Sequence, residues 1–195
     1  MRVACEHALV AQRVAANCKS PLTDGALHLD TTAARIVGKD LEVDVAAVVD
    51  LCTRFVPGMV ARGHGAVLNV ASVGAFGPLP GGAVYGASKA FVLSYTHALR
   101  AELKGTGVTA ATLCPGPVHT GFGELAGIPD EQAEKLMPKP LWVPANEVAR
   151  AGVDGLVAGR AVIVPGRYNR VAAAVNYLTP RRLLLPLLAR GVLKS

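Results

Sequence analysis

Two short apolar runs, each preceded by a long stretch with helical periodicity, constrain the fold of this chain more than any other feature. Ala66-Val67-Leu68-Asn69-Val70-Ala71 is bounded by glycine and Ser72, and Val108 to Cys114 runs into Pro115-Gly116. The first, apolar and partly β-branched, fits a strand buried on both faces, as in a parallel sheet, and the second reads as another buried strand. Ahead of the first, Leu41, Val45, Val48, Cys52, Phe55 or Val56, and Met59 recur at three and four, which predicts an amphipathic helix ending near Gly63. Ahead of the second, residues 84–104 carry Phe91, Leu99 and Leu103 at helical spacing and stop at Gly105 and Gly107, as a helix should. A third helix near Ala145 to Ala158, with Asn146 as its expected cap, leads into a third strand, Ala161 to Val164. Helix and strand thus alternate three times. The expected class is α/β, with a doubly wound parallel sheet of about three strands and flanking helices.

Three regions divide the chain by content: residues 1–40, residues 41–165 and a tail, residues 166–195. Val3 to Lys19 suits one Ala-rich helix, and no β-α-β unit is legible before Leu41. Residues 117–145 mix Gly, Pro and acidic groups, with a helix start at Pro129, and are the expected position of a substrate lid. Phe122, Leu125, Ile128, Leu136, Met137 and Trp142 make that lid apolar, which suits a hydrophobic ketone, aldehyde or acyl chain. The tail combines Arg181, Arg182, Arg190 and Lys194 with the run Leu183 to Leu188. That composition fits an anionic membrane surface or a cover over the pocket, while Pro180 and Pro186 interrupt a continuous amphipathic helix and favour a packed extension.

Composition excludes several classes. Only 5% of residues are aromatic and the basic residues are scattered until the tail, so the gathered basic and stacking groups of a nucleic-acid surface are missing. Cys5, Cys18, Cys52 and Cys114 form no C-x-x-C pair, so no metal site is expected and the thiols read as small buried hydrophobes. Glu6, His7, Gln12 and Arg13 break the opening apolar stretch, so no secretory leader is expected. The tail's apolar run is far below the roughly 20 residues that span a bilayer. A cytoplasmic location is the resulting expectation.

The chemistry-bearing group is Tyr85-Gly86-Ala87-Ser88-Lys89 together with Ser72. On a helix, positions i and i+4 share a face, so the Lys89 ammonium comes beside the Tyr85 phenol. A free phenol, with a pKa of about 10, is a poor base at neutral pH, and a cation within about 4–6 Å favours its ionised form. Ser72 follows a buried strand, so its hydroxyl projects at the carboxyl edge of the sheet, where open α/β sheets bind ligands. From there it can donate to a substrate carbonyl.

Asn69-Val70-Ala71-Ser72, Tyr85 to Lys89 and Cys114-Pro115-Gly116-Pro117-Val118-His119-Thr120 resemble the short-chain dehydrogenase/reductases over about Leu41 to Ile163. The resemblance implies a partial Rossmann-like fold, NAD or NADP as cofactor, and interconversion of a small carbonyl and its alcohol. It implies that Tyr85 moves the proton, that Lys89 also binds the nicotinamide ribose, and that Ser72 orients the substrate. Pro115, Gly116, Val118 and Thr120 fall where the family lines the nicotinamide, and Asn69 matches a mainly structural asparagine. It further implies a homodimer formed through the helices that begin at Leu41 and Tyr85.

Two departures stand out. The family has an asparagine on the proton relay where Asp44 stands, and aspartate lacks the amide donor. The sequence also lacks T-G-x-x-x-G-x-G and N-N-A-G, so the expectation is a carboxyl-terminal portion of the fold without its N-terminal β-α-β units. Residues 66–71 would then form an apolar edge strand in need of a cover, for which residues 3–19 or another chain are candidates. The competing expectation is a truncated, non-catalytic remnant that serves as an interaction module.

Overall fold

The computed structural model describes residues 41–80, 82–118 and 137–192. The expected helix over 3–19, the helix start at Pro129, His119 and Thr120 all lie outside the described residues. A π turn (Glu42–Ala46) opens α1 (Ala47–Ala61), followed by β1 (Gly65–Val70), a 3-10 turn (Val73–Phe76), α2 (Ala83–Glu102) and β2 (Val108–Leu113). A short 3-10 turn (Lys139–Leu141), α3 (Ala145–Val157), β3 (Val162–Ile163), α4 (Arg167–Leu178) and α5 (Arg181–Val192) complete the order.

All three strands are parallel, in the order β1-β2-β3, with Gly65 opposite Val108 and Thr112 opposite Val162. This is the parallel α/β sheet that the alternating elements predict and the partial Rossmann-like fold that the resemblance implies. Side chains of β2 alternate between two packed layers. Val108 and Ala110 meet Cys52 and Val56 of α1, Leu99 of α2 and Leu103 just past its end. Ala111 and Leu113 face the other way, onto Val148 of α3 and Ile163. Both faces of the central strand are therefore covered, which explains why its apolar side chains fall on both of them. Among the described residues β1 is an edge strand, as expected, and Val70 is exposed.

The helix expected from Leu41 differs in its first turn, where Ala47 N–H bonds the Glu42 carbonyl five residues back. Single π turns inside helices re-aim side chains and are frequent at functional sites, and Asp44 lies on this one. Asn146 is not the cap of α3: Pro144 holds that position, and the Asn146 carboxamide accepts from the adjacent Glu147 N–H at 3.0 Å instead. A proline with no N–H to satisfy is a natural entry to a helix. Pro180 separates α4 from α5, as its fixed φ dictates, but Pro186 is accommodated inside α5.

At the amino end of β2, Gly107 takes φ of 80° and a β-carbon there would collide with the Gly63 carbonyl. Only glycine satisfies both the left-handed backbone and the close approach of the two turns that launch β1 and β2.

Candidate active site

The carboxyl ends of β1 and β2 are joined beyond their last paired residues. Ala71 N–H donates to the Leu113 carbonyl at 2.8 Å and Val73 N–H to the Pro115 carbonyl at 2.9 Å. The ladder thereby clips the turn that begins at Ser72 to the Pro115-Gly116 turn. Ser72 is extended and caps the 3-10 turn, its Oγ accepting from Gly74 N–H at 3.1 Å. Accepting that bond leaves the hydroxyl proton for a second partner.

Tyr85 and Lys89 lie one helical turn apart near the start of α2, with the Lys89 ammonium 5.5 Å from the centroid of the Tyr85 ring. Gly74 stands between the serine and the tyrosine: a β-carbon there would lie 3.7 Å from Ser72 Oγ and 3.8 Å from Tyr85 Cε1. Hydroxyl, phenol and ammonium thus gather at one edge of the sheet. Asp44 joins them through its Oδ1, which accepts from Lys89 Nζ at 2.9 Å, with the two side chains 18% and 13% exposed. The Ser88 hydroxyl lies 3.1 Å from Asp44 Oδ2 and 2.9 Å from the Tyr85 carbonyl. It has one proton, so the two acceptors share it. Asp44 thus pairs with the lysine from a separate helical segment.

Pro115, Gly116 and Val118 border the same edge. Val118 packs against the layer built on Leu113 and Ile163, and the Pro117 carbonyl accepts from Val143 N–H at 3.2 Å. A β-carbon on Gly116 would fall on the carboxamide of Asn169. Asn169, on α4, is 1% exposed and donates to the carbonyls of Leu141 (2.9 Å) and Pro165 (3.1 Å). Its Oδ1 has no hydrogen-bond partner among the described residues. Sequence reasoning missed Asn169, which stands 53 positions beyond Gly116 with no motif linking the two.

Asn69 acts structurally, donating to Thr96 Oγ1 of α2 at 2.9 Å and lying 3.8 Å from Cys52 Sγ of α1. One β1 side chain thereby ties the strand to both helices on its face. Burial pushes the Cys114 thiol up to about 12, so at neutral pH it is a protonated core group rather than a nucleophile. Burial likewise raises the Cys52 thiol and pushes the Tyr95 phenol up to about 12, the latter helped by the neighbouring Cys52.

Residues 24–127 match the short chain dehydrogenase family, more than half of the chain, and the chain belongs to that family. Sulfoacetaldehyde reductase 2 of Chromohalobacter salexigens is 39% identical over 83 residues, 42% of this chain and 33% of that protein. An NADP-dependent 3-hydroxy acid dehydrogenase of Escherichia coli is 33% identical over 115 residues, 57% of this chain and 46% of the other. The chain therefore spans between a third and a half of the length of these relatives. The fold is shared with a short-chain dehydrogenase from Sphingobium yanoikuyae in complex with NADPH, at a TM-score of 0.66 and 23% identity, covering 96% of this chain and 70% of that one.

The nicotinamide end of such a cofactor fits the residues present. The Lys89 ammonium has three donors and spends one on Asp44, leaving others for ribose hydroxyls. Among the described residues no glycine-rich strand-to-helix turn is present for the pyrophosphate.

Proposed function

We propose that the chain carries the catalytic face of an NAD(P)-dependent oxidoreductase that interconverts a carbonyl and an alcohol. The observation that carries this reading is the Lys89 ammonium 5.5 Å from the Tyr85 ring, with Ser72 across Gly74 from the same ring. A nicotinamide held beside these residues would supply hydride in reduction and accept it in oxidation. Ser72 donates its hydroxyl proton to the substrate oxygen and holds the carbonyl against the phenol. Tyr85 gives that oxygen a proton in reduction and takes it back in oxidation. Lys89, anchored by Asp44, offsets the negative charge on the phenol oxygen and keeps donors for the ribose. Pro115, Gly116, Val118 and Thr120 would border the nicotinamide.

The relatives' names support the chemistry, since a sulfoacetaldehyde reductase and a 3-hydroxy acid dehydrogenase both work on a carbonyl and alcohol pair. We expect a hydrophobic substrate, because Met137 and the half-buried Trp142, whose indole N–H donates to the Met137 carbonyl at 3.3 Å, place apolar surface near the Pro117 turn. Self-association is expected through α1 and α2, which expose Leu51, Phe55 and Phe91. A cytoplasmic location is part of the same reading; no described helix is long and apolar enough to cross a membrane.

Fluorescence titration of the purified chain with NADH and NADPH tests the reading. Saturable binding below millimolar concentration is expected for one of them. No saturable binding of either would remove the enzyme and leave the interaction module in its place.

A further inference from the structure

We infer that the α4–α5 pair is a docking surface for an anionic lipid bilayer. Asn169 and Ala173 turn one side of α4 into the protein. The opposite side carries Tyr168, Val171, Val175 and Leu178, spaced at three and four, so that they form one stripe. Val171 is 63% exposed, Val175 54% and Leu178 75%, and Leu183 of α5 is 62% exposed. Apolar side chains of this size, lined up and left in water, mark a contact surface rather than scattered surface residues.

Charge identifies the occupant. From Gly155 to Ser195 the sequence has seven Arg and Lys and no Asp or Glu, and Arg167, Arg170, Arg181 and Arg182 are all exposed on α4 and α5. A symmetric contact with a second copy would place the same patch against itself, setting guanidinium against guanidinium with no carboxylate to separate them. A bilayer containing acidic lipids answers both features at once. Its headgroup phosphates take the guanidiniums while the acyl boundary takes Val and Leu, and tyrosine suits the level between. Arg167 is already turned along the Tyr168 ring, its guanidinium carbon 4.6 Å from the centroid.

The surface adjoins the candidate active site. Tyr177 meets Phe76 edge to face at 6.4 Å, and a β-carbon on Gly77 would lie 3.4 Å from both Asn176 and Leu184. Both helices therefore rest on the turn that begins at Ser72. A protein docked this way holds that edge of the sheet near the membrane, where an apolar substrate would partition; this last step rests on the function proposed above, and the docking itself does not.

Co-sedimentation of the full chain with vesicles tests the inference. Vesicles of phosphatidylcholine with phosphatidylglycerol should bind at low salt and release at high salt, and pure phosphatidylcholine should bind far less. Both Arg181→Glu/Arg182→Glu and Val175→Asp/Leu178→Asp should weaken binding at least about tenfold. As an independent readout, the indole introduced by Leu178→Trp, in a Trp142→Phe background, should shift its emission to the blue on anionic vesicles and be quenched by brominated lipid. No binding, binding indifferent to lipid charge, or an unshifted emission from the introduced indole would overturn the inference. So would self-association lost in Val175→Asp/Leu178→Asp without vesicle binding, which would assign the face to a second copy. Nucleotide titration of the same variants reports the catalytic reading separately.

Discussion

Asp44 Oδ1 accepts from Lys89 Nζ at 2.9 Å, joining the π turn ahead of α1 to the first half of α2 and dividing the ammonium between a carboxylate and the Tyr85 ring. Because both side chains are largely buried, neither charge is easily left alone. Asp44→Ala should cost about 1–3 kcal/mol of stability in urea unfolding, by leaving a partly buried ammonium without its acceptor. Asp44→Asn keeps an acceptor at the same place and should cost less than half as much. If Asp44 positions Lys89, Asp44→Ala should lower kcat about tenfold, and Asn should restore most of it. An Asn variant as slow as the Ala variant, yet as stable as wild type, would show that the charge itself is required.

Gly116 and Asn169 should behave as one packing unit. Gly116→Ala places a methyl on a carboxamide that is held between the Leu141 and Pro165 carbonyls and has no room to withdraw. We expect a loss of about 1–3 kcal/mol, the usual cost of overpacking a close-packed site. In Gly116→Ala/Asn169→Ala the methyl fills part of the vacated space, so the double variant should be more stable than the summed single losses predict. Strict additivity in chemical denaturation would contradict the contact.

Alkaline stability should depend on Cys114. Its folded-state thiol, pushed by burial to about 12 from an ordinary value of 9.0, keeps its proton where the unfolded thiol loses it. Between those limits the unfolded state binds fewer protons than the folded state, so stability falls as pH rises, by up to about 1.4 kcal/mol per pH unit for one group. Below about 9 this contribution is fully present and flat with pH. Cys114→Ala lowers stability at neutral pH by leaving a small cavity, but it should flatten the decline above pH 9 by one proton's worth. An unchanged slope would place the alkaline sensitivity on Cys52 and Tyr95, whose protons are also held more tightly than usual.

Legibility in the sequence follows the range of the interaction. β1 and β2 are readable because each carries small and apolar side chains on both of its faces, a consequence of the layers on either side of the sheet. Tyr85 and Lys89 are readable because helix geometry alone brings i and i+4 together. The Lys89–Asp44 pair joins residues 45 positions apart, so the resemblance marks Asp44 but no spacing discloses its partner. The cap of α3 misleads because Asn146 is a good cap in isolation, while the chain enters the helix earlier, at Pro144. Pro186 carries less weight than its ring suggests: α5 absorbs it, with the break falling at Pro180. Asn169 leaves no local signal, since its role comes from burial against Gly116 after the fold has formed.

Turnover and nucleotide binding measured together in Tyr85→Phe test the central claim most directly. Removing one hydroxyl takes away the proton that Tyr85 exchanges with the substrate oxygen, while the aromatic ring beside Lys89 stays in place. Carbonyl reduction with NADH or NADPH should fall by about 100-fold or more, with nucleotide affinity nearly unchanged. Turnover equal to the wild-type chain, at equal nucleotide affinity, would contradict the assignment of Tyr85.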